Sequence, residues 1–157
     1  MNRIKGFIYD LITFFASIGS RNSNIIEKIL IIRVDEIGDY MLWRKFITEL
    51  LEASICNQKE VHFVGNAAWK NLFELEFANE PFTKVHWLNK NLFKTSILYR
   101  FTFSRNIFQE QYSIVINPTY SRTKRVDDSI VKVAKANSNY GFVRNNENYL
   151  NYEQSYD

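Results

Sequence analysis

Cysteine is almost absent: Cys56 is the single thiol in 157 residues. One thiol cannot close an internal disulfide, so a reducing compartment is the simpler setting. Cys56 ends an apolar helical pattern and has no helper residue nearby, which reads as a small packed side chain rather than a nucleophile. No apolar run reaches the roughly 20 residues that span a bilayer. The apolar start is broken by Lys5, Asp10 and Thr13 and lacks a small-residue cleavage signature, so a secretory signal is not expected. Glycine is scarce, at five residues, and neither GxGxxG nor a GxxxxGK loop occurs, which leaves nucleotide binding through those loops unsupported. No GxSxG elbow occurs either. The two histidines, His62 and His86, fall inside expected strands without a partner at metal-site spacing, so structural roles and no metal are expected. Excess charge is small as well. A net charge of +3 without a concentrated basic stripe argues against nucleic acid, and suits an anionic ligand or an anionic membrane surface.

What is present is core and aromatic surface. Hydrophobic residues make up 46% and aromatics 16%, including 13 Phe and 9 Tyr, in a length that suits one domain. Residues 1–24 read as an amphipathic helix, with Ile4, Phe7, Ile8, Leu11, Phe15 and Ile18 at helical spacing and Gly19-Ser20 ending it. That stripe either packs on the domain or, over residues 1–22, lies in a membrane interface with Arg3, Lys5 and Arg21 meeting headgroups. Residues 28–34 form a β-branched run typical of a strand buried on both faces. Residues 35–39 are a short loop, and Met41 to Ile55 a helix with Trp43, Phe46, Ile47, Leu50 and Leu51 on one face. Further strands are expected at residues 61–65, 84–88, 113–117 and 139–142. Helices are expected at 66–77, capped by Asn66, and at 91–111 and 119–136. This alternation predicts an α/β, Rossmann-like, mainly parallel sheet with helices on both faces over residues 25–143. Residues 144–157 turn polar and read as a tail or the start of an interdomain linker.

In such sheets ligands sit beyond the carboxyl ends of the strands, which directs attention to the loops after Val34, Gly65, Leu88 and Asn117. Gly38 lets a ligand approach the main chain and can take backbone angles closed to other residues. Asp39 is either a helix N-cap, its carboxylate bonded to backbone N–H groups, or a carboxylate aimed at the ligand edge. A saturated cap makes a weak base. Arg122, Thr123 and Lys124 open the helix expected after Pro118, and cations in a first turn oppose the macrodipole. They are either a solvated basic face, balanced by Asp127 and Asp128, or a grip on an anionic ligand.

The run Ile29-Leu30-Ile31-Ile32-Arg33-Val34-Asp35-Glu36-Ile37-Gly38-Asp39, followed by an apolar helix, resembles the opening of glycosyltransferase family nine, the heptosyltransferases. Val61 to Gly65 resembles that family's second strand. Tyr112 to Asn117, then a polar helix and Tyr140-Gly141-Phe142, resembles its later strand–helix–strand unit. The resemblance covers about residues 28–143. It implies one half of a GT-B architecture, the domain that binds a glycan or glycolipid acceptor such as a lipopolysaccharide core. A nucleotide-sugar donor such as ADP-heptose would bind a C-terminal domain that lies beyond this sequence or in a partner chain. Transfer would be inverting and metal-free, on the cytoplasmic side of the membrane, with Asp39 as general base. Gly38, Arg122, Thr123 and Lys124 would contact the acceptor. The alternative is a non-catalytic Rossmann-like module that binds an anionic glycan or a partner protein.

Overall fold

The computed structural model describes residues 2–20, 27–53, 59–78, 82–120 and 122–142. Cys56 and the polar segment 144–157 lie outside them. The order is α1 (Asn2–Ala16), β1 (Lys28–Arg33), α2 (Ile37–Trp43), α3 (Phe46–Glu52), β2 (Glu60–Asn66), a 3-10 turn (Ala67–Trp69), α4 (Lys70–Glu76), β3 (Phe82–Leu88), α5 (Lys90–Thr95), α6 (Ile97–Glu110), β4 (Ile114–Asn117), α7 (Asp127–Ala134) and β5 (Ser138–Gly141). The five strands form one sheet in the order β3-β2-β1-β4-β5, and every pairing is parallel. All five strands expected from the sequence are present, and the fold is the α/β Rossmann-like one.

Burial on both faces explains the continuous apolar run of β1. Ile29 and Ile31 face a core with Tyr40, Ile47, Phe63, Trp69 and Phe73 from the α2–α4 side. Leu30 and Ile32 face a second core with Phe93, Ile107, Phe108, Val126 and Ile130 from the α5–α7 side. One strand with period-two side chains therefore feeds two cores, which fixes its register against β2 and β4.

Three helices differ from the sequence reading. The helix expected from Met41 starts earlier, at Ile37, and breaks at Arg44-Lys45 into α2 and α3. The 91–111 helix is divided at Ser96, whose extended backbone ends α5 and whose hydroxyl accepts from the Tyr99 N–H at the start of α6. The 119–136 helix is confined to α7, because residues 122–126 form a looped entry.

The N-terminal helix is present, but its apolar stripe does not pack on the domain. α1 lies on α6 and α7 and buries the small residues Thr13, Ala16 and Ser17. Phe7, Phe14 and Phe15 stay 68%, 60% and 51% exposed, and Leu11 and Ile18 are exposed with them. Cations from elsewhere hold its C-terminal end: Arg105 Nη1 donates to the Ala16 and Ile18 carbonyls, and Lys135 Nζ to Ser17. Positive charge there complements the helix dipole.

Candidate functional site

β1 and β4 are neighbours although β2 and β3 intervene in the sequence, so the chain reverses direction of growth between them. The loops leaving these two strands meet at the carboxyl edge, where open α/β sheets take up ligands. Charged and polar groups tie the two loops together. Arg33, at the end of β1, pairs with Asp35, donates to the Pro118 carbonyl at 3.2 Å and stacks over Trp43 at 4.7 Å. Thr119 Oγ1 donates to Asp35 Oδ1 at 3.4 Å. The Asp35 carbonyl accepts from Asn66 Nδ2 at 2.9 Å and Trp69 Nε1 at 3.2 Å, which joins the loop after β2 to the same point. Burial pushes Asp35 up and Arg33 down from their ordinary values, against the attraction between them. Asp35 is thus spent on the architecture.

Asp39 is not. The cap position of α2 is Glu36, which makes no side-chain cap bond, and Asp39 lies inside the first turn. Its side chain is exposed and makes no hydrogen bond or ion pair among the described residues. Its charge is felt at both Arg33 and Asp35, so it stands near the junction of the β1 and β4 loops. The next residue, Tyr40, turns inward, stacks on Trp69 at 4.5 Å and donates to Glu76 Oε2 at 2.6 Å. That anchor orients the turn. The capping alternative for Asp39 is therefore corrected: the helix begins three residues earlier than a cap at Asp39 requires. Gly38 is corrected in part. It is helical and its φ is not positive, but a Cβ there would meet nothing within 4 Å, so the open approach is real and the special backbone angle is not used.

The basic residues after β4 are arranged differently from the expectation. They precede α7 instead of forming its first turn, which Asp127 and Asp128 occupy with favourable charge. Arg122 is buried, ion-paired with Asp128 (Nε to Oδ1, 3.0 Å), and donates to the Phe142 carbonyl. It is a strut between the loop and the end of β5. Thr123 donates through its N–H and Oγ1 to Asp127 Oδ2 at 2.8 and 3.0 Å, closing the turn into α7. Lys124 is exposed and lines a cavity with Tyr9 and Arg100, away from Asp39.

Beside the α2 start, a cavity of about 300 Å³ is lined by Glu36, Asn66, Ala67, Ala68, Asn89, Lys90, Asn91 and Lys94. It sits over the carboxyl ends of β2 and β3. The Lys90 ammonium, 2.5 Å from Glu36 Oε1, holds that carboxyl below its ordinary value. Sequence reasoning missed this wall, since amides and lysines at strand ends carry no motif.

It also missed a buried polar cluster on the opposite edge of the sheet. His62 and His86 lie on one face of neighbouring strands, a diagonal that β2–β3 register alone reveals. Tyr112 Oη lies 3.0 Å from His62 Nδ1 and 3.1 Å from His86 Nε2. Glu110 completes a group whose ligand atoms lie within 4.8 Å of one another. Its fit to a metal ion is poor. Lys28 and Lys84 hold the carboxylate at 3.0 and 2.5 Å, and the phenol bridges the two imidazoles. A dication would have to displace two ammonium groups and break that bridge. Burial keeps both histidines neutral, with His86 lowered to about 4.

The strand order and the parallel pairing define a Rossmann-like α/β domain with an exposed carboxylate, Asp39, at the carboxyl edge of its sheet. Compared with family models, with curated proteins and with solved structures, the chain matches none.

Proposed function

We propose that this chain is the acceptor-binding half of an inverting, heptosyltransferase-like glycosyltransferase, with Asp39 as general base. The observation that carries the reading is the Asp39 carboxylate, exposed and without a partner at the sheet's ligand edge, while the neighbouring Asp35 is committed to Arg33. A sugar hydroxyl is a poor nucleophile at neutral pH, and a carboxylate within hydrogen-bond reach takes its proton as the new bond forms. The open space around Gly38 supports approach of an acceptor along the α2 start. The exposed apolar residues Ile37, Met41, Leu42 and Phe46 flank this edge, and such a patch suits an opposing donor-binding domain that shuts out water. That domain binds the nucleotide sugar and stabilises the leaving diphosphate. The acceptor is a cell-envelope glycan or glycolipid, and α1 brings the chain to the membrane that carries it. Of the residues first expected to grip the acceptor, Arg122 and Thr123 are withdrawn because their side chains close the turn into α7; Glu36 and Lys90, at the cavity over β2 and β3, replace them.

The test combines binding and turnover. Acceptor oligosaccharide added to the isotopically labelled chain shifts the amide resonances of residues 36–40, 66–68 and 89–91. With a donor-binding domain supplied, Asp39→Asn lowers transfer by about 10²–10⁴-fold while acceptor binding persists. Retained turnover ends the assignment of Asp39. Acceptor binding without any turnover in the unaltered protein favours a non-catalytic glycan-binding module.

A further inference from the structure

Among the described residues, one buried cation has no part in the site around Asp39. Arg100, on α6, is 1% exposed. Its Nη1 donates to the carbonyls of Phe93 (3.2 Å) and Arg125 (3.0 Å), and its guanidinium lies over the rings of Phe93 at 4.3 Å and Tyr9 at 4.7 Å. Its Nε has no hydrogen-bond partner, and no carboxylate pairs with it among the described residues. The carbonyls and ring faces that hold the group carry no formal charge, and the exposed Asp10 carboxylate attracts it without pairing with it. Burial drags the guanidinium down to about 10. An enclosed cation of this kind is costly unless an anion is close by.

Space for that anion lies next to it. Arg100 lines a cavity of about 450 Å³ with Tyr9, Lys94, Thr123, Lys124, Arg125 and Val126. A smaller pocket of about 150 Å³ continues from it past Gly6 and Asp10. Four cationic side chains and one carboxylate thus surround a space in the usual size range of ligand pockets, roughly 300–1,000 Å³. We propose that the cleft between α1, the α5–α6 junction and the loop before α7 is a binding site for a phosphate or diphosphate group, with Arg100 as its buried counter-charge and Lys94 and Lys124 at its mouth. Tyr9 fixes one wall by donating to the Lys94 carbonyl. Gly6 keeps α1 close, since a Cβ there would already stand 3.5 Å from Arg125 Nη2. The site stands on α1 and α6; it shares Lys94 with the cavity beside the α2 start but does not depend on the role given to Asp39.

A phosphate can arrive on a soluble molecule or on a lipid, and two probes separate these sources. Inorganic pyrophosphate is titrated into the full chain by calorimetry at constant ionic strength. Phosphatidylcholine vesicles with and without phosphatidic acid are used in co-flotation. Both are repeated with Lys94→Ala/Lys124→Ala, whose residues are exposed and whose fold is checked by circular dichroism, and with Arg100→Met. Saturable pyrophosphate binding that weakens about tenfold or more in the double variant supports the site and a soluble ligand. Binding specific to phosphatidic acid, weakened in the same variant, supports the site and a lipid ligand. Binding of either probe that is unchanged in the double variant overturns the proposal, as does the absence of binding to both.

Discussion

Gly65 shows how much of the site depends on a missing side chain. A Cβ at this position would lie 2.6 Å from Trp87 and 2.8 Å from Trp69, both rigid rings. Trp69 in turn donates to the Asp35 carbonyl and stacks on Tyr40, so the ring that Gly65 admits also sets the β1–α2 loop carrying Asp39. Gly65→Ala is expected to cost about 1–3 kcal/mol through overpacking, and more of the effect should fall on the α2 start than on α7. Chemical denaturation gives the cost, and amide shifts of residues 36–40 show its location. A melting point equal to that of the parent would mean the tryptophans relax without strain. The sequence marked Gly65 as a strand end and Asp39 as a candidate base. It did not show that a tryptophan links them, because that contact crosses from the loop after β2 to the loop after β1.

Elements were more legible than the residues between them. Strands stand out because β1 and β4 are buried on both faces, and continuous apolar runs require that environment. Helix ends were harder: Ser96 interrupts a helical pattern with one hydroxyl, and Gly38 continues one despite its low propensity. Removing the cap by Ser96→Ala should cost about 1 kcal/mol, read as a lower urea midpoint with an unchanged slope. The clearest division between sequence and structure is α1. Its hydrophobic stripe was visible, but whether that stripe faced inward depended on the small residues opposite it, which fit against α6 and α7. Cations stand close to the helix, Arg125 beside Gly6 and Arg105 and Lys135 at its C-terminal end. Exposed aromatic residues on a helix with cations close to it suit the boundary of an anionic bilayer. Replacing Phe7, Phe14 and Phe15 with Ser should abolish flotation with anionic vesicles and leave the thermal midpoint within a few degrees, since these rings bury little. Undiminished flotation would exclude α1 as the membrane contact.

At the scale of the whole molecule, the sheet separates two kinds of polar chemistry. The carboxyl edge keeps exposed, accessible charge at Asp39 and around Lys90, whereas the amino edge encloses His62, His86, Glu110 and Tyr112 in a network satisfied by its own members and two lysines. The first arrangement leaves capacity for a ligand; the second stabilises the fold, and its stability depends on pH. Burial lowers both imidazoles, His86 to about 4, so between that value and the ordinary 6.5 the unfolded chain binds more protons than the folded one. Their contribution is complete above pH 6.5 and is lost as pH falls through this window. For His86 it amounts to about 3 kcal/mol, at roughly 1.4 kcal/mol per unit. Burial alone would raise Glu110, but the hydrogen bonds and charges of Lys84 and Lys28 outweigh it and hold the carboxyl at about 2. Its contribution is therefore lost at lower pH, from about 4.5 down to 2, and in the same direction. Urea midpoints measured from pH 7.5 to 3 should consequently fall in two stages, first with the histidines and then with Glu110. His86→Gln should flatten the first stage and leave the second. An equally steep first stage in that variant would place the acid sensitivity outside the cluster, and the neutral imidazole pair would no longer account for it.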